Sequence, residues 1–196
     1  MLTDYVVIDL EMTGLNAKTD RILEAGAARV RGNGVTATFS EIINPKRELS
    51  EKVISLTGIT NEMAVQGKEM DATLMAFLDF IGEDILVGQN VIFDYSFLKQ
   101  WAVNHKRTFE RNAVDTLKLA RKFLPQEQKK DLASLCSYFG IERVHAHRAL
   151  DDVMETQQIF EQLQKMYEAG APEAFRPYPL QYNCLLYTSP SPRDMR

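Results

Sequence analysis

The sequence predicts an α/β domain over residues 1–170, built on one mixed sheet flanked by helices, and three observations carry the prediction. Three strand-like runs adjoin one another before Pro45. Two short apolar runs, ILVG at 85–88 and AVDTL at 113–117, each lead into a helical pattern. Elsewhere the apolar residues recur at helical spacing. Adjoining strands followed by strand and helix alternation imply five strands, three antiparallel and then parallel ones.

Taken in order, YVVIDL at 5–10 is a strand, and TGLN supplies turn chemistry through Gly14 and Asn16. ILEAGAARVRGNGVTATFSEIIN forms two strands joined at Gly32-Asn33-Gly34, the strongest hairpin signal in the chain. SEKVISLTG is a helix with Ser50 as cap and Gly58 as stop, followed by helices over 61–66 and 70–81. After the strand at 85–88, Phe93, Phe97, Leu98, Trp101 and Ala102 mark an amphipathic helix. LASLCSYFG is a helix ended by Gly140, and 148–167 is the final long helix. From Arg176 the chain has no period and is rich in proline, so 171–196 is expected to be a disordered tail. Its LLYTSPSPRD stretch resembles translated adapter sequence, and the natural chain is expected to differ past about Gln181.

Composition narrows the function classes. A 45% apolar and 26% charged chain without a long apolar run is a soluble, non-membrane protein by expectation. The N-terminus runs straight into a strand with no secretory pattern, so a cytoplasmic setting is expected. Cys136 and Cys184 form neither a disulfide framework nor a zinc spacing, and Cys136 is expected in the core. The net charge of −4 argues against bulk coating of nucleic acid, but it is unevenly spread. Lys99 to Lys130 holds nine basic residues against three acids, either a solvated face or a local track for a polyanion.

The acids Asp9 and Glu11 interrupt the first strand, where residues two apart share a face. Two carboxylates about 4 Å apart repel by ~4 kcal/mol at an effective dielectric near 20. Protonation, a basic partner or a divalent cation must compensate, unless both are solvated at the strand end. Asp94 follows the apolar strand at 85–88, at the sheet end where α/β ligands bind, or as a simple helix cap. On the last helix, Asp151 shares a stripe with Glu155, Gln158 and Gln162, expected to face solvent. Asp152 shares one with Thr156, Ile159 and Leu163 and is the inward acid. His147 lies at the start of that helix and can overhang the same cleft, whereas His105 and His145 are expected at the surface.

With D-x-E on the first strand, Asp94 after N-x-x-F, and H-x4-D at the last helix, the sequence resembles the DnaQ-like 3′→5′ exonucleases of the DEDD group, histidine subtype, which include the proofreading epsilon-type exonucleases of bacterial DNA polymerase III. The resemblance runs over roughly residues 4–168 through VVIDLEMTGL, LVGQNVIFDYSFL and HRALDDV, with LTGIT, VDTL and LASLCSYFGI as secondary matches. It implies a ribonuclease H-like fold and two divalent cations, Mg²⁺ or Mn²⁺, held by Asp9, Glu11, Asp94 and Asp152. His147 would then take the proton of the attacking water, and nucleoside 5′-monophosphates would leave single-stranded or frayed 3′ ends. Met12, Thr13, Gly14, Leu15 and Asn90 are the expected substrate-binding residues, whereas Phe97 and Trp101 belong to the core rather than to a stacking surface. DNA is the expected polymer and a DNA polymerase a candidate partner. RNA trimming, a non-catalytic binding module and a generic phosphatase are the alternatives. Gln89 departs from the histidine common at its position in the family, which bears on substrate positioning.

Overall fold

The computed structural model describes residues 1–32, 34–143, 147–168 and 178–180. In chain order they form β1 (Tyr5–Met12), β2 (Ile22–Arg31), β3 (Gly34–Ile42), α1 (Glu51–Thr57), α2 (Asn61–Gln66), α3 (Met70–Ile81), β4 (Leu86–Gly88), α4 (Ile92–Asn104), β5 (Asn112–Asp115), α5 (Thr116–Phe123), α6 (Leu132–Phe139), α7 (Ala149–Glu168) and β6 (Tyr178–Pro179). The sheet order is β3-β2-β1-β4-β5-β6. β1, β2 and β3 pair antiparallel, and β4 and β5 join β1 in parallel, so the five expected strands and their mixed directions are present.

The helix ends follow from local chemistry. Ser50 accepts from the Val53 N–H, and Gly58 closes α1 in the left-handed region at φ 68°. Asp115 caps α5 through the Leu117 N–H, and Gly140 ends α6, also at φ 68°.

The tail departs from expectation at three residues. Tyr178 and Pro179 pair antiparallel with Ala113 and Asn112, and Leu180 is buried. The outer edge of β5 offers open backbone groups, and one apolar residue suffices to anchor so short a strand. A two-residue strand leaves no periodicity to detect. Residues 169–177 and 181–196, Cys184 among them, lie outside the described residues.

The alternation of β1 divides the core into two layers. Val6, Ile8 and Leu10 pack with Phe77 of α3 and with Tyr95, Leu98 and Trp101 of α4. Tyr5 and Val7 face Leu119, Leu135, Ile159 and Phe160 of α5, α6 and α7. A smaller cluster of Leu23, Leu49, Ile59 and Ala64 seats α1 and α2. Phe97, Trp101 and Cys136 are core residues, as expected. No helix among the described residues is long and apolar enough to cross a membrane.

Asp9 and Glu11 continue the Tyr5–Val7 face, and across the ladder they oppose Gly26 and Glu24 of β2. Gly26 leaves room for the first residue of α7, since a Cβ there would lie 2.5 Å from the Ala149 carbonyl carbon. This close approach starts α7 beside the acids of β1. Gly26→Ala should therefore destabilise the protein by about 1–3 kcal/mol in denaturant unfolding, through overpacking. Gly34→Ala, where an added Cβ meets nothing within 4 Å, should stay within about 0.5 kcal/mol of wild type. Equal effects would contradict the close approach.

Candidate active site

Three elements deliver carboxylates to one end of the sheet. On β1, Asp9 is half-buried and Glu11 buried, and a bulge between Glu11 and Met12 turns the chain out of the strand. β1 outruns its parallel neighbour, with ladder partners Val6–Leu86 and Val7–Val87, so the Leu10 N–H lies beyond β4. Asp94 takes that donor, its Oδ1 accepting from Leu10 N at 2.9 Å. Asp94 lies in the first turn of α4 rather than at its cap, which is Val91. The third source is α7, where Asp152 is buried.

A ring nitrogen of His147 and carboxylate oxygens of Glu11 and Asp152 lie within 4.8 Å of one another. Asp9 and Asp94 fall outside that mutual group but are coupled to it by charge. Burial raises the Asp9 pKa well above the usual carboxylate range, and the charges of Asp94, Glu11, Asp152 and Glu24 raise it further. Glu11 is pushed up to about 8 by burial and then by Asp152, Glu24 and Asp94, against a lowering by Arg148. Burial carries Asp94 to about 7 despite the Leu10 hydrogen bond. Asp152 is also raised by burial, opposed by Arg143 and His147. Several oxygen donors in one desolvated space, all resisting ionisation because they are buried and two of them also because of their neighbours' charge, are a set that suits a hard divalent cation.

The expected substrate-binding residues occupy two loops. After β1, the Thr13 hydroxyl donates to Asp20 Oδ1 (3.3 Å) and accepts from the Arg21 N–H (2.9 Å), so it braces the turn. A Cβ on Gly14 would lie 2.5 Å from the Asp20 carboxylate, which gives this glycine a packing role. Met12 is half-buried, and Leu15 is left exposed. Asn90 holds a left-handed backbone at φ 60° between β4 and α4, its N–H donating to Asp115 Oδ1 at 3.0 Å. Gln89 accepts from the Thr116 hydroxyl (2.5 Å) and donates to the Lys130 carbonyl (2.7 Å), bracing the loop beside Asn90.

The assignment of Glu155 to a solvent face is wrong: it is 3% exposed. Its Oε2 accepts from Arg143 Nε at 2.8 Å and from the Cys136 thiol at 3.6 Å, while Arg143 Nη2 donates to Asp152 Oδ1 at 2.9 Å. Position 155 is one turn from 152, and an arginine before the helix covers both, a contact that helical phase alone does not contain. Glu24 and Arg148 were missed in the same way. Glu24 is buried opposite Glu11 and holds Arg148. An acid in the apolar run ILEAGAARV is the same anomaly as Asp9 and was the available signal. In the basic segment, Lys99 pairs with Glu110 and Arg111 with Glu83, while Lys106, Arg107, Lys122 and Lys129 are exposed.

Known proteins resemble this chain in sequence and in fold. The Exonuclease family model matches residues 6–160. The epsilon subunit of DNA polymerase III from Aquifex aeolicus is 37% identical over 157 residues, which make up 80% of this chain and 78% of that protein. A PolC-type DNA polymerase III from Bacillus subtilis is 38% identical over 157 residues, 78% of this chain but 11% of the polymerase, so the chain spans about a tenth of such relatives. In fold, the nuclease domain of 3′hExo, a DEDDh family member solved bound to rAMP, matches with a TM-score of 0.69 at 19% identity, over 83% of this chain and 92% of that one. A family match over most of the chain, joined to 37% identity with an epsilon subunit, establishes that the chain belongs to the Exonuclease family.

Proposed function

We propose that this chain is a metal-dependent 3′→5′ exonuclease that releases nucleoside 5′-monophosphates from single-stranded or frayed 3′ ends, with DNA as its polymer and a DNA polymerase as its partner. The observation that carries the proposal is the convergence of Glu11, Asp152 and His147 beside two further buried or half-buried acids. The similarity to an epsilon subunit favours DNA and a polymerase.

In this reading Asp9, Glu11, Asp94 and Asp152 hold two divalent cations, Mg²⁺ or Mn²⁺. Bound there, such ions supply charge neutralisation at the scissile phosphate and a more acidic water. The chain's own part is to hold four carboxylates on a sheet and two helices, so that the sites need little rearrangement on loading. His147, exposed at the mouth of the cluster, takes the proton of the attacking water. The exposed Leu15 would press against the terminal base and the Gly14 N–H would donate to the terminal sugar, while Thr13, its N–H held by the Arg21 carbonyl at 2.9 Å, shapes the turn that carries them. Asn90 contributes from the facing loop. Lys129, exposed and next in sequence to the Lys130 whose carbonyl binds Gln89, would meet a phosphate upstream of the scissile bond.

The direct test is a gel assay with 5′-labelled single-stranded DNA and RNA in Mn²⁺ or EDTA. A metal-dependent ladder shortening from the 3′ end, stronger on DNA, is expected. Asp152→Asn should abolish it and Asp151→Asn should leave it nearly unchanged. A ladder on RNA alone would make the chain an RNA-trimming enzyme, and no ladder from folded protein would favour a binding module. His147→Ala should slow single-turnover cleavage by ~10²–10⁴-fold. Mn²⁺ affinity should persist in that variant. The ring's proximity to Glu11 and Asp152 makes ligation the rival role, and a tenfold weaker Mn²⁺ dissociation constant would establish it.

A further inference from the structure

Two buried glutamates outside the four-acid set each hold an arginine, and the two arginines bracket His147 in sequence. Glu24 is 1% exposed and receives Arg148 through Nη2 to Oε1 (2.9 Å) and through Nε to both oxygens (3.2 Å each). The same carboxylate accepts the Ala149 N–H at 3.1 Å, so it fixes the first backbone donor of α7 as well as the side chain before it. Glu155 receives Arg143, whose second arm reaches Asp152. Between these anchors His147 has a left-handed backbone at φ 60°, a conformation uncommon for a residue with a side chain.

We propose that Glu24 and Glu155 are positioning residues that hold His147 and Asp152 in register with Glu11, acting through Arg148 and Arg143. The proposal rests on the exonuclease reading for its kinetic consequence but not for its structural one.

Docking of α7 alone does not require these pairs. Val153, Ile159, Phe160 and Leu163 already bury that helix against the sheet layer. A buried ion pair gives little or no net stability over apolar residues of similar volume, whereas it fixes geometry. Geometry is what the site needs here. Glu24 stands directly across the ladder from Glu11, so its grip on Arg148 and Ala149 refers the start of α7 to the very strand pair that carries the first acids. Arg143 then sets the carboxylate of Asp152 relative to a second fixed point one turn along the helix. Arginine suits both places because its planar fork engages two acceptor oxygens at once.

The test uses Glu24→Gln and Glu155→Gln, which keep side-chain shape, together with Arg148→Lys and Arg143→Lys, which keep charge but lose the fork. The first readout is the His147 ring signal in NMR spectra of the metal-free protein, identified by its loss in His147→Ala. The second is the division of kcat and KM on a single-stranded oligonucleotide in Mn²⁺. The ring signal should shift or broaden in the glutamine variants and in the lysine variants. In each, kcat should fall by ~10–100-fold with KM within about twofold of wild type, the range seen for residues that orient a site from behind. An unmoved ring signal with kcat near wild type, in variants that remain folded, would overturn the proposal and leave the pairs as docking contacts. If a glutamine variant fails to fold, its lysine counterpart decides by the same two readouts. Because the ring signal is read without metal or substrate, an inactive wild type would refute the nuclease reading separately.

Discussion

Carboxylates gathered where water is scarce repel one another, and the surrounding sheet and helices must hold them together against that repulsion. Asp9, Glu11, Asp94 and Asp152 come from a strand and two helices; burial drives each toward its protonated form, and the neighbouring acids add to this at Asp9 and Glu11. A flexible chain would relieve this by moving the groups apart. Here β1 is interior to the sheet, so Asp9 and Glu11 cannot separate without breaking ladder pairs on β2. Asp94 is tied to the same strand through the Leu10 N–H. Asp152 is held by Arg143, and Arg148 brings a second positive charge toward Glu11. The fold therefore stores a deficit of positive charge at one end of its sheet, which a bound cation relieves.

Much of the backbone follows from two local departures that make this gathering feasible. β4 stops short of the end of β1, which exposes the Leu10 N–H that Asp94 uses. Gly26 removes the side chain that would otherwise stand opposite Asp9, and α7 enters at that gap. The short strand and the missing Cβ are minor features in sequence, yet they set the distances from α4 and α7 to the acids. The loops are then fixed by side-chain chemistry of their own: Asp115 bonds the Asn90 N–H, and Asp20 braces the turn carrying Thr13 and Leu15.

The sequence disclosed the parts whose evidence is local. Five strands and the helices were legible because period, caps and glycine stops are short-range signals. The acids of β1 were legible because charge in an apolar strand is an anomaly that needs an explanation. Asp152 was separable from Asp151 by helical phase, but the same phase misassigned Glu155, since the arginine that covers it comes from outside the helix. Glu24 required the strand register, a long-range fact. β6 required knowledge that the β5 edge lies open to residues far along the chain. These misses share one cause: each residue is defined by a partner that local sequence does not identify.

We infer that the acid cluster takes up a cation and stays partly protonated until it is filled. Isothermal titration of Mn²⁺ into metal-free protein at about pH 7, repeated in buffers of different ionisation enthalpy, tests it most directly. Glu11 with its pKa near 8 and Asp94 near 7 must give up protons on loading. Binding should be saturable with net proton release, with affinity that rises with pH over roughly 6 to 9 and release that fades toward the upper end of that range. Saturable binding without proton release at pH 7, or no binding at all, would contradict it.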